Sequence, residues 1–130
     1  MMEKIINLPK ILDKRGNLTF LENLNQVPFE IKRVYWTYDV PGGETRGGHA
    51  FKTQKEIIIA LSGSFDVVVT DKNGKKRVYS LNRSYKGLYL PELTWRHIEN
   101  FSTNSLSLHI CSENFSETDY IRDYEEFKKI

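Results

Sequence analysis

The residues whose chemistry is most useful gather in one stretch, GGETRGGHAFKTQKE, from Gly42 to Glu56. His49 offers an imidazole, which near neutral pH can take up and return a proton. Arg46 and Lys52 flank it, and two cations so placed can hold a diphosphate through charge-assisted hydrogen bonds. Glu56 can orient a neighbouring group or simply begin the apolar run that follows it. A metal centre with this spacing would want a second histidine two residues after the first, and Phe51 stands there instead.

A later stretch, GLYLPELTWRHIEN, carries Tyr89, Arg96 and His97. Counted from Pro91, the place where a jelly-roll metal site carries its last histidine is taken by Arg96, with His97 one residue beyond. A one-residue offset in a strand turns a side chain to the other face. Arginine stays cationic and cannot ligate a metal, and a first-row ion usually needs at least three protein ligands. The residues therefore predict a site without a metal, in which His49 is the base and Arg96 joins Arg46 and Lys52 as an anion holder. In IKRVYWTY, Arg33 and Tyr35 alternate onto one face, which Tyr38 does not share, and an aromatic face there can stack a nucleobase. His109, in SLSLHIC, keeps company with Ser105 and Ser107 and is open to either an inward or an interface role.

Short strands must position these groups. KIINLPKIL reads as an edge strand because of its proline, and LTFLE, IKRVYWTYDV, HAFKTQKEIIIAL, FDVVVTD, KRVYSLN, KGLYLPE, TWRHIENF and SLSLHIC follow with turn residues between them. Asn73-Gly74 marks a hairpin in which both residues can take positive φ. Eight to ten strands at this spacing predict an all-β sandwich or barrel. The tail departs from alternation. Tyr120, Ile121, Tyr124 and Phe127 fall at helical spacing, with Ser116 and Asp119 as available caps, so a short C-terminal helix or arm is expected.

A chain of 130 residues is expected to form one domain, residues 1–130, with a core that needs no covalent staple. Its net charge of +2 gives no strong field for nucleic acid or a membrane surface. The single cysteine, Cys111, excludes an internal disulfide and suits a reducing cytoplasm. The first residues lack the pattern of a signal peptide, and no P-loop, Rossmann fingerprint or nucleophile elbow is present.

Taken together and in order, DKRGNL, PFEIKRVYW, RGGHAFK, IIALSGSFDVVV, LNRSYKGLYLPELTWRHIENFSTNSLSL and ETDYIRDYEEFKK resemble the dTDP-sugar 3,4-ketoisomerases, from about Ile5 to Phe127. These are small cupins of bacterial deoxysugar pathways that serve cell-surface glycans. The resemblance implies a jelly-roll double-sheet barrel, a homodimer, no cofactor, and a dTDP-linked keto-deoxysugar as ligand. It also implies movement of a ketone from C4 to C3 of a 4-keto-6-deoxyhexose. His49 would carry the proton, with His97 or Tyr35 assisting, and Arg33, Arg46, Lys52, Glu56, Tyr89 and Arg96 would bind the substrate. Many members read His-Ala-His-Lys where this chain reads His49-Ala50-Phe51-Lys52, so two alternatives stand beside isomerisation. One is a barrel that binds a sugar nucleotide without turning it over. The other is an epimerase, which needs a tyrosine acid such as Tyr35, Tyr38 or Tyr89.

Overall fold

The computed structural model describes residues 2–130. Its strands are β1 (Lys4–Asn7), β2 (Lys10–Ile11), β3 (Leu18–Thr19), β4 (Arg33–Thr37), β5 (Arg46–Phe51), β6 (Glu56–Ser62), β7 (Phe65–Thr70), β8 (Lys76–Leu81), β9 (Lys86–Leu90), β10 (Trp95–Glu99), β11 (Leu106–Cys111) and β12 (Tyr120–Ile121). One five-stranded sheet runs β1-β9-β6-β11-β4, a second runs β12-β5-β10-β7-β8, and β2 and β3 pair separately. All of these pairings are antiparallel. This is a double-sheet all-β fold, as the turn spacing predicts, and the jelly roll that the family resemblance implies.

Alternation divides each sheet into two faces. Between the sheets, Ile58, Ala60, Leu88 and Leu90 meet Phe65, Val67, Val69, Leu81 and Ile98 in the main core. The outer face of the first sheet buries Ile57, Ile59, Tyr89 and Ile110 beneath Leu8, Val27 and Phe29, which come from the segments on either side of β2 and β3. Strand β6 is covered on both faces, which is why its sequence is a continuous apolar run. Burying each isoleucine of that run contributes about 1.5–3 kcal/mol.

The turns are built as tightly as the core. Gly63, between β6 and β7, has φ +68°, and a Cβ there would lie 2.4 Å from Ser102 Oγ. At the Asp71–Lys75 hairpin, Gly74 has φ +86° while Asn73 keeps an ordinary backbone, so the turn uses one left-handed residue and not two. The first strand is shorter than its sequence suggests, because Pro9 separates β1 from β2.

The C-terminal segment differs most from expectation. Tyr120 and Ile121 form β12, paired with Phe51 and Ala50 of β5, and only Tyr124–Lys128 is α-helical (α1). Asp123, and neither Ser116 nor Asp119, caps that helix by accepting from Glu125 N. Asp119 instead receives hydrogen bonds from Thr53 N, Thr53 Oγ1 and Gln54 N. It thereby ties the β5–β6 connection to the tail. Phe127 and Ile121 seal Ala50 on the outer face of the second sheet, with Trp95 and Tyr124 against them. The tail therefore braces β5, the strand that carries His49.

Candidate active site

Towards one end of the space between the sheets the lining turns from apolar to polar. Tyr35 on β4, His109 on β11 and Glu56 on β6 come from the first sheet, and His49 on β5 and Arg96 on β10 come from the second. Tyr35, His49, Arg96 and His109 border a cavity of about 270 Å³, with Arg46 and Arg122 also in its lining. Glu56 lies behind them, 1 % exposed, and Arg96 is 2 % exposed.

Arg96 and Glu56 form a buried ion pair, Nη2 to Oε1. Arg96 Nη1 also donates to Gly47 O at 2.8 Å. The second oxygen of Glu56 accepts from Tyr35 Oη at 3.1 Å and Gln54 Nε2 at 3.3 Å, and His109 Nδ1 lies 3.4 Å from the first. Burial alone would push the Glu56 carboxyl upward. Arg96 and His109 outweigh it and hold Glu56 well below the usual carboxylate range, so it is ionised.

Gly47 makes the Arg96 position possible. From Arg96, paired with His49, to Ile98, paired with Arg46, the β10 strand advances two residues while β5 advances three, which is a bulge. Gly47 has φ +73°, and a Cβ there would stand 2.7 Å from Arg96 Nη1. This supplies the reason for one of the glycines in RGGHAFK.

His49 is 8 % exposed, and its Nε2 is buried with no hydrogen-bond partner among the described residues. Burial first, and the Arg96 charge second, lower its pKa to about 3. The imidazole is therefore neutral at any physiological pH. Phe51 and Tyr120 pack on it, with ring centroids 4.7 Å and 5.0 Å away. Tyr35 and His109 stack with centroids 4.3 Å apart and planes within 6°. Burial and the Glu56 charge raise the Tyr35 phenol, so it keeps its proton. Cys111 is pushed up to about 12 by the same causes and is an inert thiol.

Several groups that the sequence suggests stand elsewhere. His97 faces away from Arg96, bonds Glu99 Oε1 at 2.6 Å, and takes no part in the cavity, as the one-residue offset on β10 requires. Tyr89 lies on the outer face of the first sheet, packed in the cluster under Leu8 and Val27. Lys52 follows the end of β5, is exposed, and gives its backbone N–H to Asp119 O. Arg33 donates to Gln54 Oε1 at 2.9 Å and sits 5.2 Å from the centroid of the Tyr35 ring, supporting the lining from behind. Arg96 is committed to Glu56 and Gly47, so it acts as a buried charge and not as a free anion holder, while Arg46 stands in the cavity lining. Tyr38 is exposed and outside the cavity.

His109, which the sequence left open between an inward and an interface role, proves to be inward, as the alternation of Ser105, Ser107 and His109 as buried polar residues shows. Tyr120 and Arg122 escaped the sequence reading, because helical spacing in the tail concealed a strand. Among the described residues no three His, Cys, Asp or Glu side chains are grouped so as to hold a metal ion. The Glu56 carboxylate is in any case already engaged by Arg96, Tyr35 and Gln54.

The sequence matches the family described as FdtA: WxcM-like, C-terminal, over residues 1–130. It is 39 % identical over 129 residues to TDP-4-oxo-6-deoxy-alpha-D-glucose-3,4-oxoisomerase of Aneurinibacillus thermoaerophilus, covering 99 % of this chain and 92 % of that one. The chain belongs to the sugar-nucleotide 3,4-ketoisomerase family. Among solved structures, it is similar to the TDP-quinovose 3,4-ketoisomerase WlaRB of Campylobacter jejuni, at 41 % identity and TM-score 0.92, with 98 % of each chain covered. It is also similar to the sugar 3,4-ketoisomerase QdtA of Thermoanaerobacterium thermosaccharolyticum, solved in complex with TDP, at 35 % identity and TM-score 0.95, covering 98 % of this chain and 92 % of that one. The family resemblance noted in the sequence and the jelly-roll fold agree with these matches.

The ion pair makes a prediction about stability. Glu56→Gln would leave Arg96 buried without its counter-charge, and breaking such a pair costs about 3–5 kcal/mol. Denaturant unfolding of the variant is expected to show a loss of that size. A loss below about 1 kcal/mol would mean that Arg96 is not held as a buried cation.

Proposed function

We propose that this protein is a 3,4-ketoisomerase acting on a TDP-linked 4-keto-6-deoxyhexose, in the synthesis of a deoxysugar. The observation that carries the proposal is the buried, neutral His49 in the lining of a cavity that also holds a phenol and a buried guanidinium, its Nε2 free of any hydrogen-bond partner among the described residues.

The C3 hydrogen of such a sugar is acidified by the neighbouring C4 ketone. His49 Nε2 takes that proton and leaves an enediolate; its return to C4 and the loss of the O3 proton give the 3-ketone. Overall, one hydrogen leaves C3 and one arrives at C4, while one proton leaves O3 and one reaches O4, so no electrons are gained or lost. Tyr35, held protonated, is a hydroxyl in the same lining able to serve the oxygens. The Arg96 charge, whose hydrogen bonds are given to Gly47 and Glu56, favours the enediolate electrostatically.

Arg96 also makes His49 a weak base, and the ligand offsets this. The diphosphate and the developing enediolate bring negative charge to the cavity, which favours the imidazolium. Arg46 and Arg122 lie where they can receive the diphosphate, although Arg122 also pairs with Glu117 at 2.8 Å. The second histidine of many relatives is not needed for this sequence of steps, because one imidazole can serve both carbons in turn.

His49→Asn is expected to lower turnover of TDP-4-keto-6-deoxyglucose by about 10²–10⁴. Its affinity for TDP, measured by calorimetry, should stay within about threefold. Turnover near the wild-type level would remove His49 as the base. The pH dependence follows from the lowered pKa of His49. A base must be neutral to act, so activity is lost only as pH falls through the folded pKa, which here is about 3. The profile of kcat/KM should therefore stay flat from about pH 8 to 5.5, where an ordinary imidazole near 6.5 would retain only about a tenth of its activity. An acid limb near pH 6.5 would contradict the buried, neutral His49.

The chain is further read as a homodimer. Val34 and Trp36 are exposed on the edge strand β4, and with Leu61 they leave an apolar outer surface. Light scattering should give about twice the 15.2 kDa chain mass, and a monomer at micromolar concentration would refute this reading.

A further inference from the structure

We propose that Phe51 is a positioning residue for His49, its ring acting with Tyr120 as an aromatic clamp that fixes the orientation of the imidazole in the cavity lining. The inference rests on the proposed isomerase reading, and it concerns the position at which this chain departs from many of its relatives.

His49 and Phe51 are two apart on β5 and so project from the same face. Their rings meet edge to face, with centroids 4.7 Å apart and planes at 78°. Tyr120 is the register partner of Phe51 across β12 and β5, and its ring stands 4.6 Å from Phe51 and 5.0 Å from His49. The three rings thus form a closed triangle, which leaves the imidazole little room to turn. Phe51 is 5 % exposed, and the Arg96 guanidinium carbon lies 5.5 Å from its centroid, a cation–π distance. The same ring therefore touches the base and the cation that acts on it.

Hydrogen bonding does not supply the orientation. His49 Nε2 has no partner among the described residues, whereas His109 is held by Ser107 Oγ at 3.0 Å and by Glu56. Histidines in proteins are usually oriented by a hydrogen bond on one ring nitrogen. Here packing takes that part. A flat ring is needed at position 51, while its ability to carry a proton is not.

Two variants and two readouts test this. Phe51→Leu keeps the site apolar but removes the ring; kcat is expected to fall about tenfold or more, with KM and calorimetric TDP affinity within about twofold of wild type. Phe51→His restores a flat ring and is expected to keep kcat within about threefold. An unchanged kcat in Phe51→Leu would overturn the proposal. So would a rise of tenfold or more in Phe51→His, which would mark position 51 as the place of a missing base. The second readout needs no turnover. The side-chain ¹⁵N signals of His49 in ligand-free protein should be a single sharp set in wild type and Phe51→His, and exchange-broadened in Phe51→Leu. Sharp signals in all three would also overturn the clamp. If wild type shows no turnover but the spectra differ as expected, the isomerase reading fails and the clamp stands.

Discussion

Two opposite charges almost fully removed from water persist in a small protein only where each also has further hydrogen-bonding partners, because the desolvation cost is several kcal/mol per ion. Arg96 and Glu56 meet that condition. Gly47 O takes one guanidinium nitrogen, and Tyr35, Gln54 and His109 surround the carboxylate. Much else in the site follows from this pair. It requires a glycine with positive φ at position 47, because a side chain there would occupy the guanidinium's place. Beside burial, its Glu56 charge helps to keep Tyr35 protonated and its Arg96 charge helps to lower the basicity of His49, and it places a fixed positive charge beside the space where an enediolate would form.

The scaffold explains how such a pair is tolerated. The interior between the two sheets is continuous, apolar where Phe65, Val67 and Leu88 meet and polar where Tyr35, Glu56, Arg96 and His109 meet. Three of the strands that supply site residues also supply the core or its outer cover. β6 gives Glu56 and then Ile58; β10 gives Arg96 and then Ile98; β11 gives His109, next to Ile110 on the outer face. The site is held by strands anchored in the core, and the tail adds a last constraint through β12 and the three hydrogen bonds to the Asp119 carboxylate. This suits proton chemistry, which needs fixed groups and little room for water.

The all-β architecture and the importance of GGHAF were legible because period-two alternation and turn glycines are local signals. So was the separation of Arg96 from His97, which follows from strand geometry alone. What was not legible depended on contacts distant in sequence. Nothing local to Arg96 says that its partner is Glu56, forty residues earlier, so it read as a free cation. Tyr89 has the composition of a binding residue, yet the N-terminal segment covers its face. The tail failed for the converse reason. Its apolar spacing fits a helix, but pairing with β5 decides the matter for Tyr120 and Ile121, and a helix begins only at Tyr124.

The account rests on a single buried histidine moving a proton between adjacent sugar carbons. A proton NMR time course of TDP-4-keto-6-deoxyglucose with catalytic protein in D₂O tests this most directly. The account predicts a 3-keto product carrying deuterium at C4, with deuterium at C3 only in substrate re-formed by the reverse reaction, and none at C5. An unchanged spectrum despite saturable TDP binding would contradict it, as would deuterium at C5 with the ketone still at C4.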